Sequence, residues 1–456
     1  MSAKNFDLGK DNVGKLLVKL AVPASIAQLV NVLYNIIDRM FIGRMPNGDL
    51  AMAGVGVAFP IIILVSAFSA LIGYGGAPLV AIKMGEKDND GAENLMSNSF
   101  SVLIILAVIL IVGFLMFKIP ILKAFGASDN IIAYADDYIT IYLAGTIFVL
   151  IAVGMNPFIN TQGFARTGMY TVLIGAITNI VLDPILIFGF SLGIKGAALA
   201  TVISQGVSAI WVLFFLFGKK STLKIRKKYL VPDFKLVGKI MALGVSPFIM
   251  QATESLVLIS LNTQLMKFGG DLAVSAMTIM SSIMQIITLP IIGLCQGGQP
   301  IVSYNFGAKS LERVKKAFRL VLITSLSFTT VICGALLIKP EMFVRIFNND
   351  PALMKITCWS IRIYFAGIFI FGGQMACQQT FLILGQAKIS LILALLRKVI
   401  LLVPLIFIIP NFIDDKLKGV LLAEPIADIF AATTTIIVFS IFYKKTLSGA
   451  DEKVLE

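Results

Sequence analysis

Gly75-Gly76-Ala77-Pro78 through Gly85-Glu86-Lys87 returns 222 residues later as Gly297-Gly298-Gln299-Pro300 through Gly307-Ala308-Lys309. Six of the 13 positions are identical. At the same offset Gly48-Asp49-Leu50-Ala51 matches Gly270-Asp271-Leu272-Ala273, and Tyr142-Leu143-Ala144-Gly145 matches Tyr364-Phe365-Ala366-Gly367. Gly163-Phe164-Ala165 likewise matches Gly385-Gln386-Ala387, and Pro23 and Pro247 stand at equivalent places near the start of each copy. The chain is therefore a duplication, and the fold must be one that two similar halves can share.

The sequence around these motifs is apolar. Of 456 residues, 58% are hydrophobic and 14% charged, where a soluble domain carries about a quarter charged residues. Twelve apolar runs, at 16–44, 50–82, 97–117, 131–162, 168–190, 195–217, 237–266, 272–304, 317–338, 354–384, 388–410 and 418–442, are long enough to cross a bilayer as helices. They are continuous and do not alternate, which excludes a membrane β-barrel. The expected fold is all-α, with twelve transmembrane helices in two six-helix lobes, residues 1–217 and 237–456, joined by a basic linker at 218–236. Six spans per half is an even number, so both halves enter the membrane in the same sense. That gives a pseudo-two-fold axis along the membrane normal and a cavity between lobes, as alternating access requires.

The net charge of +13 follows topology and gives no reason to invoke nucleic acid. With the N-terminus inside, most of the 38 Lys and Arg fall on the inner side, and the positive-inside bias predicts cytoplasmic termini. The linker region alone holds Lys219, Lys220, Lys224, Arg226, Lys227, Lys228, Lys235 and Lys239, suited to anionic lipid headgroups. Residues 1–19 read as polar and mixed in charge and not as a signal peptide. Cys295, Cys333, Cys358 and Cys377 have no metal-ligand spacing and read as core thiols. No cofactor is expected. Short loops predict no protein partner, and no small-residue dimer face stands out, so a monomer is expected.

Carboxylates inside spans are the candidates for function, because an ionised group in the bilayer core costs several kcal/mol. Gln28, Asn31, Asn35 and Asp38 share one face of the first span. Asn179 and Asp183 lie one turn apart in the fifth, and Thr201 lies at matching depth in the sixth. Asp38, Asn179, Asp183 and Thr201 together suit a proton or a sodium ion, and with no histidine in the chain a proton relay must run on carboxylates. The second half offers Glu254, one turn from Gln251, and Glu424 with Asp428 in the twelfth span; Arg362 is the expected neutraliser of one of these acids. A soft lining for varied ligands is expected from Met277, Met280, Met284, Gln285, Gln374, Met375, Gln378 and Gln379. Tyr34, Asn35, Gln28, Asn31, Tyr142, Glu254, Gln251, Met280, Met284, Gln285 and Gln378 make up the expected substrate cavity. Pro23 and Pro247 are the expected hinges.

Pro23, Asn35-Ile36-Ile37-Asp38-Arg39-Met40-Phe41-Ile42-Gly43, the two Gly-Gly-x-Pro…Gly repeats, Asn179-Ile180-Val181-Leu182-Asp183-Pro184 and Lys195-Gly196-Ala197-Ala198 together resemble the multidrug and toxic-compound extrusion (MATE) exporters. The likeness spans essentially the whole chain and is nearest the bacterial DinF- and Mep-like branch. It implies a multi-pass protein of the bacterial cytoplasmic membrane that exports organic cations in exchange for H⁺ or Na⁺. By matching position Asp38, Asn179, Asp183 and Thr201 are the implied cation site, and Glu254 is the acid of the seventh span. Some sodium-coupled members carry an aspartate in the tenth span, where this chain reads Ile370-Phe371-Gly372-Gly373-Gln374, so coupling is placed in the N-terminal lobe. The alternative is a lipid-linked precursor flippase of the same superfamily. An ATP-driven pump lacks its phosphate loop here, since Gly218-Lys219-Lys220-Ser221 is out of frame. An intramembrane enzyme lacks a nucleophile and base.

Overall fold

The computed structural model describes residues 7–125, 127, 129–347 and 351–447, so the two chain termini lie outside the described residues. Helices are where the apolar runs predict them: α1 Val13–Gly43, α2 Leu50–Gly85, α3 Asn89–Ala124, α4 Ile132–Ala144 continued by Thr146–Thr161, α5 Ala165–Gly189 and α6 Ile194–Phe217. The second half repeats them as α7 Phe234–Gly270, α8 Leu272–Gly307, α9 Leu311–Ile338, α10 Pro351–Ile383, α11 Ala387–Asn411 and α12 Lys416–Thr446. No strand occurs among the described residues. Short polar side chains satisfy free amides at several helix starts: Asn12 accepts from Gly14 and Lys15, Asp88 from Gly91, Asp233 from Lys235 and Asp415 from Lys418.

The duplicated motifs mark duplicated backbone events. Gly163 (φ 87°) and Gly385 (φ 78°) both turn left-handed between the fourth and fifth spans of their halves, a conformation that glycine adopts without a Cβ penalty. The two Tyr-x-Ala-Gly motifs both interrupt a helix. At Gly145 α4 bends by 58°, where the sequence alone reads one straight span over 131–162. In α10 the same motif becomes a 3₁₀ turn over Phe365–Gly367.

The Gly-Gly motifs hold the halves together. A Cβ on Gly75 of α2 would lie 2.2 Å from the Ile240 carbonyl oxygen of α7, and one on Gly297 of α8 would lie 2.4 Å from the Ala21 backbone of α1. Gly85 meets Tyr304, Gly307 meets Ile82 and Gly244 meets Leu71, each backbone on backbone. These contacts join the ends of α1, α2, α7 and α8 nearest the basic linker. Two buried cores result, and they exchange material. Leu16, Leu17, Leu20 and Ala21 of α1 belong to the core of the second half, while Ile240 of α7 belongs to that of the first. Farther along, Gln28 donates to Gln296 (3.3 Å) and Gln296 to the Tyr74 hydroxyl (2.8 Å). Among the described residues these are the last hydrogen bonds between α1 or α2 and α8 on the way to the opposite end. Leu33, Ile36 and Met40 continue an exposed apolar stripe that begins at Val18, Val22 and Leu29 and runs the length of α1. The backbone contacts and hydrogen bonds that join the two halves are thus gathered toward the basic end.

Lead-in segments clamp this end. The segment before α1 docks on the second half: Arg313 donates to the carbonyls of Leu8 (2.9 Å) and Asp11 (2.7 Å), and Asn305 also donates to Leu8 (2.9 Å). The linker before α7 docks on the first half. Lys224 and Arg226 amides donate to Glu93 and Ser97, and the Asp233 amide to Asn98. Arg226 also pairs with Glu93 at 2.7 Å, which pushes the guanidinium above its ordinary value, and Lys228 pairs with Asp90. Part of the basic loop is thus held by acids of α3.

Candidate ion and substrate sites

Asp38, Asn179, Asp183 and Thr201 meet inside the first half and all four are buried. The reason is local: α1 packs along α5 and α5 along α6, and the three-and-four spacing turns these side chains inward. Asn179 Nδ2 lies 3.3 Å from Asp183 Oδ1 and 3.5 Å from Thr201 Oγ1. The Asp38 and Asp183 carboxyls are within hydrogen-bonding reach of each other. Pro184 and a π turn over Ile185–Gly189 follow Asp183 directly, an irregularity frequent at functional sites. Asp38 Oδ1, Asp183 Oδ2 and Asn179 Oδ1 are buried without a protein donor. Arg39, the neighbour in sequence, instead lays its guanidinium over Phe59 at 4.9 Å. Two adjacent carboxylates in a dry interior cannot both stay ionised without a compensating cation. Oxygen-only donors suit a proton or a small hard cation.

Tyr34, half-buried, stands beside both aspartates. The Tyr138 hydroxyl reaches Thr201; sequence reading missed it, although it sits one turn before Tyr142. Tyr142 is buried against Tyr138, with rings stacked at 6.4 Å, and so lies inside the first half away from the cleft. Asn35 turns back to the Asn31 carbonyl (2.6 Å), and Gln28 serves the contact with Gln296 instead of facing a ligand. Met277 and Met280 are buried in the second core, Met284 packs against it, and Gln285 is exposed. Met280 therefore fills the core and does not line a cavity. Gln251 is half-buried, and Gln378 is buried with its amide on the Met250 sulfur (3.4 Å). Pro23 sits in an unbroken α1 and Pro247 five residues before the end of a helical stretch at Ala252. The four cysteines are free and buried, and no group of three metal-ligating side chains occurs among the described residues.

The second half carries a charge cluster on the equivalent helices, α7, α11 and α12. Arg397 reaches Asp428 at 2.8 Å and Glu424 at 3.2 Å. Lys398 pairs with Glu254 and donates to the Met250 carbonyl (2.9 Å). Arg362, expected to neutralise one of these acids, pairs with Glu341 at 3.5 Å near the end of α10. Two residues from Tyr364, it points to another side of the helix, toward Glu341 and the Leu337 carbonyl. The neutralising cations are Arg397 and Lys398, which sequence reading passed over. Their signal was two adjacent basic residues at the middle of the apolar run 388–410, where each is costly.

The sequence profile of the MatE family matches this chain twice, over residues 23–185 and 247–408. The multidrug export protein MepA of Staphylococcus haemolyticus is 26% identical over 98% of this chain and 97% of its own length. MepA of Staphylococcus aureus is 27% identical over 94% of each chain. Among solved structures, the outward-facing conformation of a multidrug resistance MATE family transporter of the MOP superfamily superposes with a TM-score of 0.89. It is 23% identical, with 97% of this chain and 98% of that one covered.

Proposed function

Because the chain belongs to the MatE family, we propose that it exports varied organic cations from a bacterial cell in exchange for inward H⁺ or Na⁺. It is a transporter and not an enzyme. The observation that carries the exchange is the buried Asp38–Asp183 pair, whose Oδ1 and Oδ2 respectively have no hydrogen-bond partner among the described residues and suit a proton or a cation. The two halves are joined toward the basic end, which the positive-inside rule places in the cytoplasm. We read this end as closed, so the cleft opens outward and both termini lie inside.

The cycle follows from charge. An ion from outside neutralises the Asp38–Asp183 pair, and the cleft near Tyr34 loses attraction for a cationic drug. The drug leaves, and α1, lacking one helical hydrogen bond at Pro23, shifts with α7 at Pro247 as the closed end opens. The ion departs inward, and the restored negative charge binds the next drug. Drug and ion draw on one negative charge, so each displaces the other. The test is ethidium efflux from vesicles under a pH gradient and a sodium gradient imposed separately. Asp38→Asn should abolish efflux under the driving gradient. Full-rate export by this variant against a concentration gradient would sink the scheme. No movement of organic cations under either gradient would turn the reading to a lipid-linked substrate.

A further inference from the structure

A second concentration of positive charge lies at the end of the second half opposite the basic linker. Arg313, which holds the segment before α1, stands in the first turn of α9, and α9 runs from there to Ile338 at the far end. Lys339 and Arg345 then flank a short helix, Pro340–Val344, and Lys355 and Arg362 follow on α10. The positive-inside rule leaves that end poor in Lys and Arg, so four basic residues within 24 positions need a reason. Apolar side chains stand exposed among them. Ile338 (73%), Met342 (60%) and Ile346 (73%) recur every fourth residue, while Pro340 and Val344 are buried against the protein. A segment with basic ends and an outward apolar face suits a membrane interface, its apolar side among acyl chains and its cations beside headgroups.

Between this segment and α10 opens a pocket of about 460 Å³, lined among others by Glu341, Met354, Lys355, Trp359 and Arg362. Lys355, Trp359 and Arg362 follow one another at helical spacing on one face of α10. Trp359 is half-buried, and tryptophan favours the headgroup level of a bilayer. Arg362 lies 3.5 Å from Glu341, with both side chains about half exposed (53% and 47%), and its Nε donates to the Leu337 carbonyl (3.4 Å). An ion pair so exposed is weak. Lys355 is exposed at the rim. The pocket therefore holds two cations against one carboxylate, an excess of one positive charge, and a phosphodiester carries one negative charge.

We propose that this pocket seats the phosphate of an anionic phospholipid from the leaflet opposite the basic linker. Lys355 and Arg362 hold the phosphate, the Trp359 indole lies at headgroup level, and Met342 and Ile346 lie beside the acyl chains. Glu341 tempers the site: by engaging Arg362 it sets how much positive charge the lipid meets. The site is independent of the export reading and lies outside the ion site of the first half.

The chain has two tryptophans, so Trp211→Phe leaves Trp359 as the sole indole, and its quenching by brominated acyl chains reports the lipid beside it. The full-length protein is reconstituted in phosphatidylcholine with a small fraction of brominated phosphatidylglycerol or brominated phosphatidylcholine. Phosphatidylglycerol should be preferred at Trp359 about tenfold. Lys355→Gln should lower that preference about fivefold, and Glu341→Gln, which frees Arg362, should raise it about fivefold. Opposite shifts from two exposed neighbours are a signature that damage to the fold would not give. Excess soluble glycerol phosphate should leave the preference intact; its loss would assign the pocket to a water-soluble phosphate and overturn the lipid assignment. Equal quenching by both lipids, or a preference that the two variants leave unmoved or shift in one direction, also overturns the inference.

Discussion

Gly244→Ala places a methyl group 1.7 Å from the Leu71 carbonyl oxygen and 2.5 Å from its carbon. A carbon approaches a carbonyl oxygen to roughly 3.3 Å, so α2 and α7 must part by about 1.5 Å at this point. Both colliding atoms are fixed to backbone, so no side chain can turn aside. Overpacking of this kind costs about 1–3 kcal/mol, and the upper value lowers the closed-end population about a hundredfold. Gly238→Ala on the same helix, where a Cβ meets nothing within 4 Å, is the control. Spin labels at Glu86 and Lys239, both exposed near the closed end, report the separation by double electron–electron resonance, and the four buried cysteines leave engineered sites selectively labelled. The Gly244 variant should gain a longer distance and export more slowly, and the control should match wild type. An unchanged distance distribution and rate in Gly244→Ala would refute the claim that glycine backbone contact closes this end.

Arg313→Ala removes both guanidinium bonds to the segment before α1. Amide exchange over residues 8–16 should rise about tenfold, at about 1.4 kcal/mol for a charged hydrogen bond; unchanged exchange would show that Asn305 alone holds the segment. Asp88 caps α3, and the Gly91 amide, then Lys83, hold its carboxyl below the ordinary value. Its contribution is therefore present above the usual aspartate range and is lost only as pH falls through the lowered value. Asp88→Ala should cost about 1 kcal/mol at neutral pH in thermal unfolding, with the difference from wild type closing only in strong acid.

The spans and the pairing of halves were legible because hydrophobic length and repeated glycines are written directly in the chain. The meeting of Asp38, Asn179, Asp183 and Thr201 was legible too: they fall at matching depths, and helical spacing supplies their shared faces. Depth is one coordinate, and what it leaves open is where the reading went astray. Gln28 shares a face with Asp38 yet meets Gln296, because α1 leaves its own half to cross onto α8. Met280 and Tyr142 were placed on cavity walls by composition, but burial is decided by neighbours that no periodicity names. Arg397 and Lys398 stood at mid-span in plain view; their partners lie 27 to 144 positions away, and only packing joins them.

The exchanged lead-in segments bear on biogenesis. The first half receives the linker that precedes α7, and the second half receives residues that precede α1, so each copy is finished by a piece belonging to its sibling. A ribosome delivering this chain has inserted six helices before the strap that seals them is made. The early half must wait in the bilayer with Glu93, Ser97 and Asn98 uncovered, and the arriving half finds residues 8–11 already made and ready to dock on Asn305 and Arg313. The duplication thus survives as an interlock, in which neither ancestral copy retains a complete inner surface of its own.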